Sequence, residues 1–135
     1  MKEIKIESDL QLICVRAKSF PQGIEESFKV LESTVPGRKG RECYGIYEEN
    51  DSGITYRAGM LKEADNEDVI YGLENYTIKK GKYLGVTIYN WKDNIPKIGQ
   101  TFDKMAEDQR VEKNSPSIEV YKGLKDVICM MKMKG

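Results

Sequence analysis

Residues 82–91, KYLGVTIYNW, read as a β-strand, and together with the helix and strand pair downstream they decide the fold. Leu84, Val86 and Ile88 alternate with Tyr83, Gly85, Thr87 and Tyr89. A period of two puts each set on its own face of a sheet. Asp93 or Asn94 can then cap a helix over about residues 95–107, where Ile95, Ile98, Phe102 and Met105 share one face at spacings of three and four. Residues 117–121, SIEVY, read as a second strand, Lys122-Gly123 as a turn, and residues 127–133 as a last strand.

The same order occurs earlier in the chain. In residues 10–20, LQLICVRAKSF, Ile13, Val15 and Ala17 alternate with Cys14, Arg16 and Lys18. Pro21 opens a helix whose Ile24, Phe28 and Leu31 lie on one face, and Pro36-Gly37 ends it. A strand over 42–47, a turn at Asn50-Asp51-Ser52-Gly53 and a strand over 54–61 come next. The polar residues 62–68 read as a loop between halves. Val15 falls on Val86, Phe20 on Trp91, Ile24 on Ile95 and Leu31 on Phe102 at an offset of 71. Gly45 falls on Glu119 and Tyr47 on Tyr121 at 74, and Met60 on Met133 at 73. The expected fold is α+β: duplicated strand-helix-strand-strand units, about 10–61 and 82–133, forming a pseudo-twofold β-sheet with helices on one face. The competing reading is an unrelated α+β domain with chance spacing.

Composition narrows the function. With 135 residues the chain fits one domain, 1–135, and 39% hydrophobic with 33% charged residues is a globular balance. Lys+Arg and Asp+Glu both number 22, so no surplus of positive charge favours nucleic acid or an anionic membrane. Arg38-Lys39-Gly40-Arg41 is one local basic candidate, and it reads as a solvated loop. Histidine is absent, which removes Ser-His and Cys-His pairs and most zinc sites. Cys14, Cys43 and Cys129 are too scattered for a C-x-x-C motif. No metal and no cofactor is expected. No signal peptide or membrane span is visible, and the expected compartment is the cytoplasm.

Alternation also sorts candidate site residues. Leu84, Val86 and Ile88 suit packing under the helices, and so do Tyr44 and Ile46, and Ile118 and Val120. That leaves Tyr47, Tyr83, Tyr89, Trp91, Glu119 and Tyr121 on the helix-free face, with room at Gly45 and Gly85. Five aromatics around one carboxylate describe a site for an apolar or cationic ligand, since aromatic faces attract a cation by about 0.5–2 kcal/mol each. Burial of the carboxylate is expected to raise its pKa. Ile54, Tyr56, Ala58 and Met60 share a face that alternation leaves unassigned, so Tyr56 joins the candidates conditionally.

Three segments carry a resemblance. Ser115-Pro116-Ser117-Ile118-Glu119-Val120-Tyr121 resembles the P-x-x-E-x-Y signature near the end of GyrI-like, or bacterial transcription-activator effector-binding, domains. Tyr44-Gly45-Ile46-Tyr47 resembles their second strand, and residues 78–83, IKKGKY, the entry to their second half. The resemblance spans most of the chain. It implies a ligand pocket at the pseudo-twofold axis, with Glu119 among aromatics, of the kind that binds lipophilic cations in multidrug-responsive regulators. No helix-turn-helix precedes the domain, so a stand-alone member without direct DNA binding is expected. The His-x-Gly segment frequent in the family is replaced by Tyr89-Asn90-Trp91-Lys92.

The leading reading is binding of a lipophilic, cationic organic molecule through Glu119, Tyr121, Tyr47, Trp91, Tyr89, Tyr83 and Tyr56. The first alternative is a hydrolase of electrophilic, cyclopropane-type natural products. In it Glu119 directs water or acts as general base and Tyr47 or Tyr121 donates to the leaving oxygen. The second alternative is a protein-binding inhibitor, such as a DNA gyrase partner. Ligand identity and oligomeric state stay open.

Overall fold

A computed structural model describes residues 1–37 and 40–135. Among these residues eight strands form one antiparallel sheet: β1 (Lys2–Ile6), β2 (Leu10–Arg16), β3 (Cys43–Asn50), β4 (Gly53–Leu61), β5 (Glu74–Ile78), β6 (Gly81–Ile88), β7 (Ser117–Lys122) and β8 (Asp126–Lys132). The helices are α1 (Ile24–Thr34), α2 (Glu67–Tyr71) and α3 (Ile95–Glu107). The sheet order β1-β6-β8-β7-β3-β4-β2-β5 reads the same from both ends once β2, β3, β4 and β5 are matched with β6, β7, β8 and β1. The dyad falls between β3 and β7. The matched helices begin at Ile24 and Ile95, 71 positions apart, and β3 and β7 at Cys43 and Ser117, 74 apart.

One row of paired residues crosses six strands through that dyad: Val86, Cys129, Glu119, Gly45, Ala58 and Val15. Both long helices lie on the face to which this row points. Leu31 of α1 packs with Ile13, Ala58 and Met60, and Met105 of α3 with Leu84, Ile88, Val127, Cys129 and Met131. Leu31 and Met105 are both fully buried, and burial on that scale contributes about 1.5–3 kcal/mol per side chain.

The opposite face is also apolar. Tyr83, Leu12, Cys14, Tyr44, Ile46, Ile78, Ile118, Val120 and Met130 form one cluster, joined by Ile4 of β1 and Tyr76 of β5. Side chains from both ends of the sheet meet there because the sheet curls into a half-barrel, as twisted strands do.

That curl corrects the face assignment. Glu119 and Tyr121 point to the helices, while Ile118, Val120, Tyr44 and Ile46 fill the helix-free core. A sheet buried on both faces carries large residues at both parities, so alternation in β7 does not say which set lies under helices. Gly85 also belongs to the helix-free side, where Ile4 takes up its room. The matched rows set Met60 opposite Ile13 and Met131 opposite Leu84, so Met131, not Met133, is the counterpart of Met60.

β1, β5 and α2 are additions to the expected elements. β1 and β5 add matching edge strands beside β6 and β2. α2 occupies part of the polar stretch read as loop. It is held by Glu67, whose carboxylate accepts from Arg41 at 2.7 and 3.0 Å and from the Glu63 amide at 2.6 Å. Arg41, read in sequence as part of a solvated loop, is instead held in a buried ion pair, and Arg38 and Lys39 lie outside the described residues. No helix among the described residues is long and apolar enough to cross a membrane.

Candidate functional site

Glu119 sits at the centre of the sheet, where the two helical halves meet. Gly45 is its partner across the dyad, and a Cβ placed on Gly45 would collide with both Glu119 Oε1 and the Tyr56 hydroxyl. The glycine is therefore what admits a carboxylate here. Tyr56 and Tyr121 both donate to Oε1, at 2.6 and 2.8 Å. Among the described residues no hydrogen bond engages Oε2.

Six aromatic rings form an unbroken chain that includes both phenol partners of this carboxylate. Tyr47 meets Phe20 at 5.1 Å between centroids, Phe20 meets Tyr56 at 5.8 Å, and Tyr56 meets Phe28 at 6.5 Å. Phe28 meets Tyr121 at 5.7 Å, edge-on, and Tyr121 meets Trp91 at 5.2 Å. The end pairs are counterparts under the dyad: Phe20 with Tyr47 in one half, Trp91 with Tyr121 in the other. Tilted and edge-to-face contacts of this kind each contribute about 0.5–1.5 kcal/mol beyond burial.

The electrostatics are those of a half-buried carboxylate. Burial raises the pKa of Glu119, and the two phenol donors oppose that rise by favouring the charged form. The same burial, with the Glu119 charge close by, pushes Tyr56 and Tyr121 upward, so both stay protonated donors. Cys129, paired with Glu119 in the sheet, is pushed up to about 12 by burial and then by that charge. It is an inert thiol at neutral pH.

Solved structures share this architecture. An integron cassette protein from the mobile metagenome of Vibrio cholerae is similar at a TM-score of 0.73 and 12% identity, over 98% of this chain and 95% of its own. SAV2435, solved bound to tetraphenylphosphonium, is similar at 0.67 and 13%, over 99% and 93%. A hydrolase from Listeria innocua is similar at 0.59 and 8%, over 98% and 90%. At these identities the likeness is one of fold. It is the fold type that the GyrI-like resemblance implies. No protein-family model matches the sequence, and no curated protein matches it.

Of the expected site residues, the structure brings together Glu119, Tyr121, Tyr56, Tyr47 and Trp91. Tyr56 is 2% exposed and resolves the open face of its strand. Two others lie elsewhere. Tyr83 is buried in the helix-free core with its hydroxyl donating to the Lys79 carbonyl at 2.6 Å. Tyr89 is 68% exposed, because β6 ends at Ile88 and Asn90 turns the chain in the left-handed region, φ 53°. Trp91 is thus placed by a 3-10 turn, its amide donating to the Lys125 carbonyl at 2.9 Å, and not by the strand. Its indole Nε1 is buried without a partner among the described residues. Asn94 occupies the N-cap of α3, yet its amide turns back to the Tyr89 and Asn90 carbonyls.

Phe20 and Phe28 were not expected at the site. Phe20 carried a signal, its alignment with Trp91. Phe28 reads in sequence as an ordinary inward helix residue. Two surface cavities lie away from the carboxylate. One of about 300 Å³ adjoins Tyr47, Glu49 and Asn114, and one of about 210 Å³ adjoins Tyr76, Tyr83 and Lys132.

Proposed function

We propose that the chain binds a lipophilic organic cation over Glu119, in the space between α1 and α3. The observation that carries this reading is one partly buried carboxylate, one oxygen of which no hydrogen bond engages among the described residues, held by two members of a chain of six aromatic side chains. The rings supply apolar contact and an electron-rich surface for positive charge, and Glu119 supplies the countercharge. Tyr56 and Tyr121 hold the carboxylate in place by binding its other oxygen. The resemblance of the Pro116–Tyr121 motif to GyrI-like effector-binding domains supports the same reading. So does the fold shared with a protein solved bound to tetraphenylphosphonium.

Trp91 is the single tryptophan, so its fluorescence reports on the site. Titration with tetraphenylphosphonium is expected to change Trp91 emission saturably, with a matching calorimetric isotherm. Absence of any saturable signal in both measurements removes the reading.

A second reading, hydrolysis of an electrophilic ligand, is favoured by the uncommitted Oε2 and the raised proton affinity of Glu119. Those are the properties of a general base beside two phenol acids. Mass spectrometry of cyclopropane-bearing ligands after incubation separates the two: a mass gain of one water supports turnover, and unchanged ligand supports binding.

A further inference from the structure

The helix-free side of the sheet has a cavity of its own. β7 turns Glu119 toward the helices and its neighbour Ile118 to the other face. There a cavity of about 210 Å³ is lined from β5, β6, β7 and β8. Ile78, Tyr83 and Ile118 are buried members of its lining and make it apolar. Three polar groups of the lining are committed within the protein. The Tyr83 hydroxyl donates to the Lys79 carbonyl, the Thr77 hydroxyl to Gln11 Oε1 at 2.8 Å and the Ser115 hydroxyl to the Glu112 carbonyl at 2.8 Å.

Lys132 and Tyr76 are not committed. Lys132 is half-buried and joins no ion pair among the described residues. Its stem lies across Gly81, where a Cβ would come within 2.9 Å of Nζ and 3.0 Å of Cε. The ammonium stands 5.9 Å from the centroid of the Tyr83 ring. The Tyr76 hydroxyl makes no hydrogen bond among the described residues. Burial, and then the Glu48 charge, push its pKa up to about 12, so it is a donor at neutral pH. Arg57, over the Tyr76 ring at 5.1 Å, already has its charge met by Glu48 and Glu74. The charged residues of the lining are two lysines, Lys79 and Lys132, against one exposed glutamate, Glu112.

We infer that this cavity is a second binding site, on the face opposite Glu119, for a small aromatic carboxylate. Lys132 supplies the countercharge, Tyr76 donates to the carboxylate, and the ring packs on Tyr83, Ile78 and Ile118. A charged acceptor is what two donors without a partner can use best. An apolar cavity of about 150 Å³ accepts a benzene ring, so 210 Å³ has room for one ring with its carboxylate. The lysines disfavour a cation here. Nothing in this assignment rests on what Glu119 binds.

The test titrates benzoate into isotope-labelled wild type, Lys132→Met and Tyr76→Phe, read by amide NMR shifts, with benzamide as the neutral counterpart. Saturable shifts are expected at Lys79, Tyr83 and Lys132 and not at Phe28 and Trp91, which lie on the other face. Lys132→Met is expected to bind benzoate at least about tenfold more weakly, and Tyr76→Phe about threefold, the scale of one charged and one neutral contact. Benzamide is expected to bind wild type at least about tenfold more weakly than benzoate. Thermal melts establish that the variants are folded. Lys132→Gln replaces Lys132→Met if the latter is not, and the benzamide comparison needs no variant. Absence of saturable shifts with benzoate, or shifts at Phe28 and Trp91 instead, overturns the inference. So does wild-type affinity in the Lys132 variant, or equal affinity for benzoate and benzamide.

Discussion

Gly45 and Glu119 lie opposite one another on neighbouring strands, and the side chain that Gly45 lacks is the space in which the Glu119 carboxylate and the Tyr56 hydroxyl meet. Substituting Gly45→Ala puts a methyl group into that contact. Tyr56 is buried and cannot retreat without disturbing Phe20 and Phe28. The expected cost is about 1–3 kcal/mol of stability, the range of overpacked cores. Urea titration of both proteins measures it. A midpoint unchanged from wild type contradicts so tight a fit.

Binding of a cation is expected to depend on pH through Glu119. Its folded-state pKa is raised above the ordinary value of 4.5 by burial. The empty site therefore holds a proton over the window from 4.5 up to the raised value, and a cation must displace it. Affinity rises with pH through that window and levels off above it, with proton release on binding inside it. In Glu119→Gln the dependence disappears. Calorimetry in two buffers of different ionisation enthalpy checks this, and equal apparent enthalpies inside the window contradict it. For stability the sign is the reverse: the folded state holds the extra proton, so the contribution of Glu119 falls as pH rises through the same window.

Glu74 behaves in the opposite sense. It bridges Arg16, at 2.7 and 2.9 Å, and Arg57, at 3.2 and 3.4 Å, and these bonds lower its pKa from 4.5 to about 2. Its contribution is present above 4.5 and is lost as pH falls toward 2. The carboxylate is one-third exposed, so screening reduces the effect to about 1 kcal/mol. Glu74→Gln is expected to melt below wild type at pH 7, with the gap closing on acidification. A gap that persists below pH 2 contradicts the ion-pair origin.

Gly99 lies in the interior of α3 on its exposed side. Glycine in a helix interior is less favourable than alanine by about 1 kcal/mol. Gly99→Ala is expected to raise the melting temperature by roughly 3–5 °C in a chain of this size. A lower melting temperature indicates a backbone need for glycine at this position.

Much of the fold was legible because the signals were local and repeated. Ile24, Leu31 and their counterparts Ile95 and Phe102 mark two helices at one offset, and β2 and β6 emerge from alternation. The faces were not legible. Leu84 and Val86 belong under a helix as expected, but Ile118 and Val120 do not. Only the pairing of Glu119 with Cys129, and of Cys129 with Val86, reveals that the carboxylate shares the helix face. Register across strands is absent from any single strand's pattern. The same gap hid Phe28, whose role depends on reaching Tyr121 across the dyad. β1 and β5 are five-residue edge strands, and their pairing with β6 and β2 lies 70 or more positions away in the first case and across α1 in the second.

The central claim is that Glu119 is the countercharge for an organic cation, and calorimetry tests it most directly. Tetraphenylphosphonium and the neutral triphenylphosphine oxide are titrated into wild type, Glu119→Gln and Tyr121→Phe, each shown to be folded by its thermal melt. A charge-assisted contact contributes about 1.5–3 kcal/mol, so Glu119→Gln is expected to bind the cation about tenfold to a hundredfold more weakly. Tyr121→Phe keeps the ring and removes one donor, and the expected loss is smaller. The neutral ligand is expected to show little difference between wild type and Glu119→Gln. Cation affinity in Glu119→Gln equal to wild type contradicts the account.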